Sequence, residues 1–407
     1  MKLILLASLL LTAVIRPAAA QSRLTGKILD SATSQPVPYA SISVLNTTTG
    51  TTSNAEGEFE LKTSLPGRLV ISELGHRRDT VAVAAATAAA TAAATAAAPL
   101  VVRLTPTTVE LPEVTTGTYT EELIKRAYRE LRRTNDQKTY GQAFYRQITH
   151  LGDDATEVQE LMWDIKTTSA GVEGTALAQA RYAKKKARVS FTNFPHFTKS
   201  YGIYSPKVDT MTTTRLISPN VAQNFALKLL GVTQNGTHQL VEIGFMSKPG
   251  ANPHHTEQGT VTIDETTNQL LRLHLETNAF NSKSNNPLFR FKDGTTVFEC
   301  VFQPTATGTT RLDYIKIDYR ILLSQPLKAD LRTQVSSFTY FYGGQPTPTG
   351  VAYLTAATSQ SNLAAIKQTT YDPAYWQNNP VVKRTPLEEQ VMKSFEQKGA
   401  FGTMLTP

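Results

Sequence analysis

His254, His255 and Glu257 form the pattern in this sequence that comes closest to catalytic chemistry. A His and a Glu three residues apart, as at His254 and Glu257, have a spacing that can place both side chains on one zinc ion. A catalytic zinc also needs a third protein ligand, a bound water and a general base. No histidine follows His274, so that ligand is missing at the expected distance. The preceding loop, residues 250–253, is equally typical of surface residues. A zinc peptidase or peptidoglycan hydrolase therefore stays an alternative and is not the leading interpretation.

Other patterns of catalytic residues are missing from the sequence. It contains no Gly-x-Ser-x-Gly, the turn that exposes the nucleophile of an α/β-hydrolase. It also lacks His-Glu-x-x-His, a phosphate-binding loop and the Gly-rich dinucleotide fingerprint. Asp153 and Asp154 could act as an acid and a base, but adjacent acids beside Gly152 are typical of a solvated turn. We therefore predict that the protein is not an enzyme, with no catalytic residue, no cofactor-binding residue and no metal ligand.

Six aromatic residues could instead form a platform for a sugar or a peptide. They are Tyr201, Tyr204, Tyr340, Tyr342, Tyr375 and Trp376. Strands with one apolar face place aromatic residues in the same way to fill a core. We favour core packing for this group.

The chain is modestly basic, with 41 Lys and Arg against 33 Asp and Glu and a formal net charge of +8. The densest basic run, Lys184 to Arg188, could meet phosphate groups of lipopolysaccharide or nucleic acid. Such a run is usually a solvated edge, and the signal-like composition of residues 1–20, which predicts export, argues against a nucleic-acid partner. The single cysteine, Cys300, excludes an intrachain disulfide. Its apolar neighbours indicate a buried strand and a structural thiol.

The first twenty residues have the features of a signal peptide. Lys2 gives the positive start, residues 3–15 form an uncharged apolar run, and Ala18 to Ala20 supply small side chains for cleavage. The run is shorter than the ~20 residues that a membrane-spanning helix needs. Gln21 is not the cysteine to which a lipid would be attached. We therefore expect cleavage of residues 1–20, export, and no transmembrane span in the mature chain.

Residues 21–116 alternate short strand-like runs with turns, which indicates an all-β sandwich. Apolar residues stand at every second place in residues 38–44, the period of a half-buried strand. Gly57 can adopt a positive φ at a turn, after which Phe59 and Leu61 point the same way into a core.

The order of these motifs resembles the carboxypeptidase-like regulatory domain, a transthyretin-like β-sandwich common at the N terminus of Bacteroidota envelope proteins. The matching motifs are Gly26-x-Ile28-x-Asp30, Pro36-x-Pro38-x-Ala40-x-Ile42, Gly50-Thr51, Asn54-x-x-Gly57-x-Phe59, Leu69 to Gly75, Val101 to Leu104 and Val109 to Val114. His76 departs from the family, which usually has an aromatic residue there. The resemblance implies no catalysis, because in carboxypeptidases this sandwich accompanies the peptidase domain and carries none of its chemistry.

A low-complexity insertion, residues 84–98, interrupts this domain with repeats of Ala-Ala-Ala-Thr. Alanine favours helix, but an isolated helix of ~12–15 residues is marginal in water. Because the insertion lies between the strand-like residues 80–83 and 100–104, we interpret it as an expanded hairpin loop.

Residues 117–407 are predicted to form a mostly antiparallel β-rich domain with flanking helices. Apolar residues recur at helical spacing from Thr118 to about Arg133. Strands with one apolar face follow, at residues 239–245, 259–264, 271–275 and 315–321. Thr385 and Pro386 begin a last helix. The whole chain is therefore predicted to be mainly β with some α.

This second region resembles a domain of unknown function that often follows the regulatory-like domain in the same phylum. The likeness rests on Ala143 to Arg146, Gly259-x-x-x-Ile263-Asp264 and Asp372-x-x-x-Trp376. A one-sided sheet with the Gly-x-x-x-Ile-Asp motif also resembles the half-barrel of lipoprotein carriers. A periplasmic carrier of lipid or lipoprotein is therefore a second alternative.

The leading hypothesis is a non-catalytic, exported envelope protein without a cofactor. We expect it to bind or scaffold an envelope protein or a glycan in the periplasm, at the outer membrane or at the cell surface.

Overall fold

The computed structural model describes residues 22–63, 66–84, 99–110, 117–205, 215–251, 255–279, 288–305, 308–345, 348, 350–355, 362–379 and 381–401. The predicted signal peptide (1–20), most of the Ala/Thr-rich insertion (85–98) and His254 lie outside the described residues. Among the described residues, no helix combines the length and the apolar character needed to cross a membrane.

The N-terminal domain is a sandwich of two sheets, as the sequence predicts. Its strands are β1 (Ser22–Asp30), β2 (Ser41–Val44), β3 (Gly50–Thr52), β4 (Glu58–Thr63), β5 (Gly67–Ser72), β6 (Asp79–Val83) and β7 (Leu100–Leu104). One sheet has the order β4-β1-β7 and the other β3-β2-β5-β6. The pairs are antiparallel except that β1 runs parallel to β7.

One apolar core holds the two sheets together, and the turn before β4 directs residues into it. Ile28, Phe59 and Leu61 are buried there with apolar residues of both sheets. Gly57 has φ +72° and a Cβ at this position would stand 2.5 Å from the carbonyl oxygen of Ile28, so only glycine fits. Asn54 supports the turn, because its Oδ1 accepts hydrogen bonds from two backbone N–H groups in residues 56–58.

The predicted hairpin around the Ala/Thr-rich insertion is wrong. β6 pairs with β5 in the four-stranded sheet, whereas β7 pairs with β1 in the other sheet. Val83 and Leu100 therefore lie in different layers of the sandwich. Alternating apolar residues identify both strands correctly, but that pattern does not encode which strand each one pairs with.

His76 replaces the expected aromatic residue with a polar contact. Its two ring nitrogens lie 2.6 Å from a carboxylate oxygen of Glu73 and 3.0 Å from one of Asp30. The hydrogen bond with Glu73 raises the pKa of His76, burial lowers it in part, and the Asp30 hydrogen bond raises it further. The histidine thereby ties the end of β1 to the loop after β5.

The second region contains an eleven-stranded sheet in the order β11-β10-β9-β18-β17-β16-β15-β14-β13-β12-β8. Its strands are β8 (Val109–Glu110), β9 (Thr139–Leu151), β10 (Asp154–Thr168), β11 (Gly171–Lys184), β12 (Phe225–Asn235), β13 (His238–Ser247), β14 (Glu257–Asp264), β15 (Gln269–Thr277), β16 (Arg290–Pro304), β17 (Thr310–Gln325) and β18 (Lys328–Gln345). Every pair is antiparallel, and hairpins join most neighbours. Mainly β structure with some α is therefore confirmed.

Six helices accompany the sheet among the described residues. They are α1 (Gly117–Thr134), α2 (Pro195–Ser200), α3 (Val221–Asn224), α4 (Asn362–Gln368), α5 (Pro373–Asn378) and α6 (Pro386–Glu396). The predicted first helix is confirmed, and its apolar positions, such as Leu123, Ile124 and Leu131, are buried. The predicted last helix is also confirmed, with Thr385 and Glu388 forming a reciprocal capping box before Pro386.

The sheet is strongly coiled. In a flat sheet, strands three places apart would be separated by three spacings of ~4.8 Å. β10 and β17 lie three places apart, yet some of their Cα atoms approach within 8 Å. One apolar cluster collects residues of β9 to β18 together with α1 and the segment after α2. We call the side of the sheet that faces this cluster the inner face and the opposite side the outer face.

A β-bulge breaks the predicted alternation in β15. We expected Leu271, Leu273 and Leu275 on one face. The register slips between Thr262 and Ile263, and Leu271 faces the N-terminal domain, whereas Leu273 and Leu275 belong to the inner cluster. An extra residue in one strand reverses the direction of the side chains beyond it.

The outer face of β9 to β11 is covered by α5 and α6. A network of buried charges, the arginine–glutamate network, lies beneath them. Glu160 is 1% exposed and contacts Arg146 and Arg181 in neighbouring strands, and Arg384 lies 3.8 Å away. Burial alone would raise the pKa of Glu160, but the charges of Arg181, Arg146 and Arg384 outweigh it and lower the pKa to about 2.

The N-terminal domain also packs on the outer face of the large sheet. Tyr39 stacks on Phe338 with ring centroids 4.9 Å apart and lies 5.5 Å from the ring of Tyr314. The Thr51 hydroxyl donates to the carbonyl oxygen of Val381 at 2.7 Å. The Lys383 ammonium contacts a carboxylate oxygen of Glu58, also at 2.7 Å. The segment between α5 and α6 therefore joins both parts of the chain.

Candidate functional site

The end of β13 and the start of β14 position the residues that the sequence first singled out. The Glu257 N–H donates to the Ser247 hydroxyl at 2.9 Å, and that hydroxyl donates back to the Glu257 carbonyl oxygen at 3.1 Å. The N–H of Thr256 donates to Asn278 Oδ1 at 2.8 Å. These bonds fix the backbone on both sides of Glu257, so its side chain and that of His255 have a defined direction.

His255 and Glu257 come together on the inner side of the sheet. His255 Nε2 lies 3.4 Å from Glu257 Oε1, and the two side chains are 22% and 20% exposed. Burial raises the pKa of Glu257, although the charges of His255 and Arg215 lower it in part. Glu257 is thus a half-buried acid beside two basic groups, His255 and Arg215.

The pair lines a pocket of about 300 Å³, the inner pocket. Phe245, Leu273 and Leu275 give it an apolar wall from β13 and β15. Tyr201, directly after α2, closes another side and packs on Phe298, with ring centroids 4.0 Å apart. The pocket therefore has one apolar and one polar side.

Arg215 completes the polar side. Its guanidinium carbon lies 5.9 Å from the centre of the Tyr201 ring, and its charge acts on Glu257. Guanidinium and imidazole groups donate hydrogen bonds, and a carboxylate accepts them. The polar side can therefore bind a polar head while the wall of Phe245 and the two leucines holds an apolar body.

A zinc site would need a complete set of ligands, and the part of the chain that the structure describes does not supply one. There, no group of three or more His, Cys, Asp or Glu side chains could hold a metal ion. Of the three residues in the original pattern, His255 and Glu257 meet, and His254 lies outside the described residues.

Most other residues singled out from the sequence have a structural place. Asp153 lies in the turn before β10 and Asp154 begins that strand; both are exposed, and Cys300 is buried in β16. Lys186 and Arg188 of the basic run are exposed. Of the six aromatic residues, Tyr204, Tyr340 and Trp376 are buried and the other three are partly buried, which agrees with packing, although Tyr201 also lines the inner pocket.

Gly259, Asp264 and Asp372, which belong to the motifs by which residues 117–407 resemble a domain of unknown function, have structural roles. A Cβ at Gly259 would stand 1.9 Å from the carbonyl oxygen of His274, so β14 and β15 approach too closely for another residue. Asp264 is buried and accepts from the Thr266 N–H in the following turn. Asp372 caps α5 by accepting from the Tyr375 N–H at 3.1 Å.

Sequence reasoning missed Arg215, Phe245 and Tyr201 as partners of His255 and Glu257. Together with that pair they come from four separate segments, which only the coiling of the sheet and the segment after α2 bring together. The available signal was the alternation in β13 and β15, which identifies inward-facing residues but not the space between them.

Comparison with known proteins identifies the N-terminal domain. Residues 24–116 match the family model of the CarboxypepD_reg-like domain. No curated protein sequence gives a significant match. Among solved structures, a LolA superfamily protein from Nitrosomonas europaea shares 10% identity, with 58% of this chain and 96% of that chain covered and a TM-score of 0.20. A protein from Bacteroides fragilis, described as membrane-associated and of unknown function, shares 11% identity over 80% of this chain and 99% of its own, with a TM-score of 0.16.

The family match covers all seven strands of the sandwich, including the turn at Asn54 and Gly57 and the polar contact at His76. It ends directly before α1 and includes β8, the edge strand of the large sheet. The N-terminal part of this chain is therefore a CarboxypepD_reg-like domain.

Proposed function

We propose that this chain is a non-catalytic binding protein of the cell envelope that holds a small amphiphilic molecule in the inner pocket. The observation that carries the proposal is the lining of that pocket, which combines apolar with charged side chains. Phe245, Leu273 and Leu275 supply the apolar wall, and Arg215 and His255 supply polar groups. An amphiphile likewise combines an apolar body with a polar head.

The volume of the inner pocket suits a small ligand. Pockets for small molecules are ~300–1,000 Å³ and are lined mostly by apolar side chains with a few placed polar groups. The inner pocket has about 300 Å³, at the lower end of this range. A single apolar chain or ring with a polar head fits the proposal better than a larger lipid does.

The envelope location rests on two features. Residues 1–20 have the composition of a signal peptide, and residues 24–116 belong to a domain family whose occurrence in envelope proteins the sequence resemblance implies. Fractionation of cells that produce the full chain, beside a variant without residues 2–20, tests the location. Recovery of the full chain in the cytoplasm, uncleaved, would contradict it.

A fluorescent fatty acid with a single unbranched chain, cis-parinaric acid, tests ligand binding directly. We expect saturable binding to the purified mature chain. Loss of one charge-assisted hydrogen bond in Arg215→Gln should weaken it roughly tenfold. Arg320→Gln is the matched control, because Arg320 is an exposed arginine of β17 outside the inner pocket.

A second variant tests the apolar wall. Leu275→Trp places a larger side chain in the pocket and should also weaken binding of the probe. A melting curve checks that the variant folds. The proposal fails if neither variant weakens binding, or if the wild-type chain does not bind the probe at all. Turnover of peptides or peptidoglycan by the purified chain, with a bound zinc ion, would support the hydrolase alternative instead.

A further inference from the structure

A second and larger cavity lies between the N-terminal domain and the outer face of the large sheet. This interdomain cleft has about 460 Å³. Tyr39 and Val70 line it from the sandwich, and Leu271, Tyr314 and Asp313 line it from β15 and β17. Small-molecule sites occur preferentially at domain interfaces, and this volume lies within their usual range. It is separated from the inner pocket by the sheet itself.

Most charged groups at the interdomain cleft have a charged partner in the protein. His76 lies between Glu73 and Asp30. The other pairs are His238 with Asp264, at 2.7 Å, and Arg272 with Glu299, at 2.5 Å. Such pairs need no ligand to explain them.

Asp313 differs, because its carboxyl group is buried and only half satisfied. The residue is 4% exposed. Gln303 donates a hydrogen bond to one side of the carboxyl group, but Oδ1 has no hydrogen-bond partner among the described residues. Arg311 is near, yet its Nη2 donates to Gln303 Oε1 at 3.1 Å. Buried polar atoms are almost always paired in native proteins, since an unpaired one costs free energy.

A β-bulge in β17 places Asp313 outside the regular pairing with β16. Opposite β16, Leu312 pairs with Phe302 and Tyr314 pairs with Val301, so Asp313 is an extra residue without a partner in register. Such bulges change the direction of a side chain and occur often beside functional sites. The bulge is a second observation that points to the same residue.

Two aromatic rings flank the cleft. Tyr39 and Tyr314 have ring centroids 5.5 Å apart. Tyr39 has φ +56°, a backbone conformation that is uncommon for a residue other than glycine. Its ring already accepts a cation, since the Lys316 ammonium lies 5.5 Å from the ring centre. Faces of aromatic rings attract ammonium groups.

We propose that the interdomain cleft binds a small organic amine, whose ammonium group pairs with Asp313 and whose body packs against Tyr39 and Tyr314. An ammonium group supplies both the hydrogen bond that Oδ1 lacks and the positive charge that an ionised carboxyl group needs. Hydrogen bonds between charged groups are roughly twice as strong as neutral ones, so an amine is favoured over a neutral hydroxyl compound. This site is independent of the amphiphile site in the inner pocket.

The test uses the purified mature chain with tryptamine and its neutral counterpart N-acetyltryptamine, observed by ligand-detected NMR and titration. We expect tryptamine to bind and Asp313→Asn to weaken it by about tenfold or more. N-acetyltryptamine should bind the wild-type chain no more tightly than tryptamine binds Asp313→Asn. Asp330→Asn is the matched control, because Asp330 is an exposed acid of β18 outside the cleft, and it should leave tryptamine binding unchanged.

The outcomes separate this proposal from the previous one. Asp313→Asn should leave the fluorescent fatty acid bound as in the wild-type chain, and Arg215→Gln should leave tryptamine bound. Melting curves confirm that each variant is folded. The proposal is overturned if tryptamine does not bind the wild-type chain, if it binds Asp313→Asn equally well, or if the acetylated compound binds as tightly as the amine.

Discussion

Two buried carboxyl groups on the outer side of the large sheet, Glu160 and Asp313, have opposite surroundings. Glu160 lies among three arginines, which lower its pKa to about 2 against the effect of burial. Burial raises the pKa of Asp313 to about 7, because Arg311 and Gln303 offset it only in part. The side chain of Glu160 lies beneath helices, whereas Asp313 lines a cleft between domains.

The partners of a buried carboxyl group therefore distinguish a structural charge from a candidate binding residue. A buried ion whose partners are all present makes a network that holds elements together, and removal of one member leaves the others unpaired. A buried carboxyl group with an unused oxygen destabilises the empty protein and gains most when a ligand supplies the missing donor. Glu160 fits the first description and Asp313 fits the second.

The largest expected effect is that of Glu160→Ala. It leaves Arg146 and Arg181 buried without their carboxylate, and breaking a buried pair in this way costs about 3–5 kcal/mol. The free energy of unfolding from urea titration should fall by that amount. Glu396→Ala is the control, because Glu396 is an exposed partner of Arg181 at 3.5 Å, and its loss should cost below about 1 kcal/mol. Equal effects of the two substitutions would contradict the assignment.

The pH dependence of the same residue gives the next effect. The folded pKa of Glu160, about 2, is below the ordinary value of 4.5. The stabilisation is therefore fully present above pH 4.5 and is lost as the pH falls toward about 2. The difference in unfolding free energy between the wild type and Glu160→Gln should shrink by up to about 3 kcal/mol over this window. A difference that is constant from pH 6 to pH 3 would show that the network does not hold an ionised Glu160.

Tyr39→Ala should weaken the contact between the two parts of the chain. The ring stacks on Phe338 and lies beside Tyr314, and each aromatic pair contributes roughly 0.5–1.5 kcal/mol. We expect a loss of about 1–2 kcal/mol and faster cleavage between the domains in limited proteolysis. Tyr39→Phe keeps the ring and should behave like the wild type. If both substitutions act alike, the ring does not hold the cleft together.

Lys383→Ala should have the smallest effect. Lys383 and Glu58 are both about one-third exposed, and exposed ion pairs contribute below about 1 kcal/mol. Thermal unfolding should shift by a few degrees at most, and less at high salt. A large loss would mean that this pair, and not the aromatic contact at Tyr39, determines how the domains dock.

The sequence predicts features that local residue patterns encode. The turn at Gly57, the buried side of α1 and the start of α6 at Thr385 and Pro386 all follow from spacing within a few residues. The pairing of β6 and β7 could not be predicted, because both strands have the same apolar pattern whichever sheet they join.

The two cavities were beyond sequence reasoning for a related reason. Asp313 and Tyr39 line one cleft through domain docking and a bulge, and no periodicity in the sequence marks a bulge. His255 and Glu257 were noticed as a pair, but Arg215 reaches them only through the coiling of the sheet. Residues that are distant in sequence and joined by irregular backbone carry most of both candidate sites.

The most direct test of the account is the unfolding free energy of Asp313→Asn and the wild type, measured by urea titration at pH 5 and pH 8. The folded pKa of Asp313 is above its ordinary value of 3.8, so ionisation should cost the wild type stability as the pH rises from about 4 through about 7. The account predicts that Asp313→Asn is more stable than the wild type at pH 8 by about 1–3 kcal/mol and that this advantage shrinks at pH 5. A substitution that destabilises the protein at pH 8, as expected for Glu160, would show that Asp313 is a satisfied structural charge and would contradict the account.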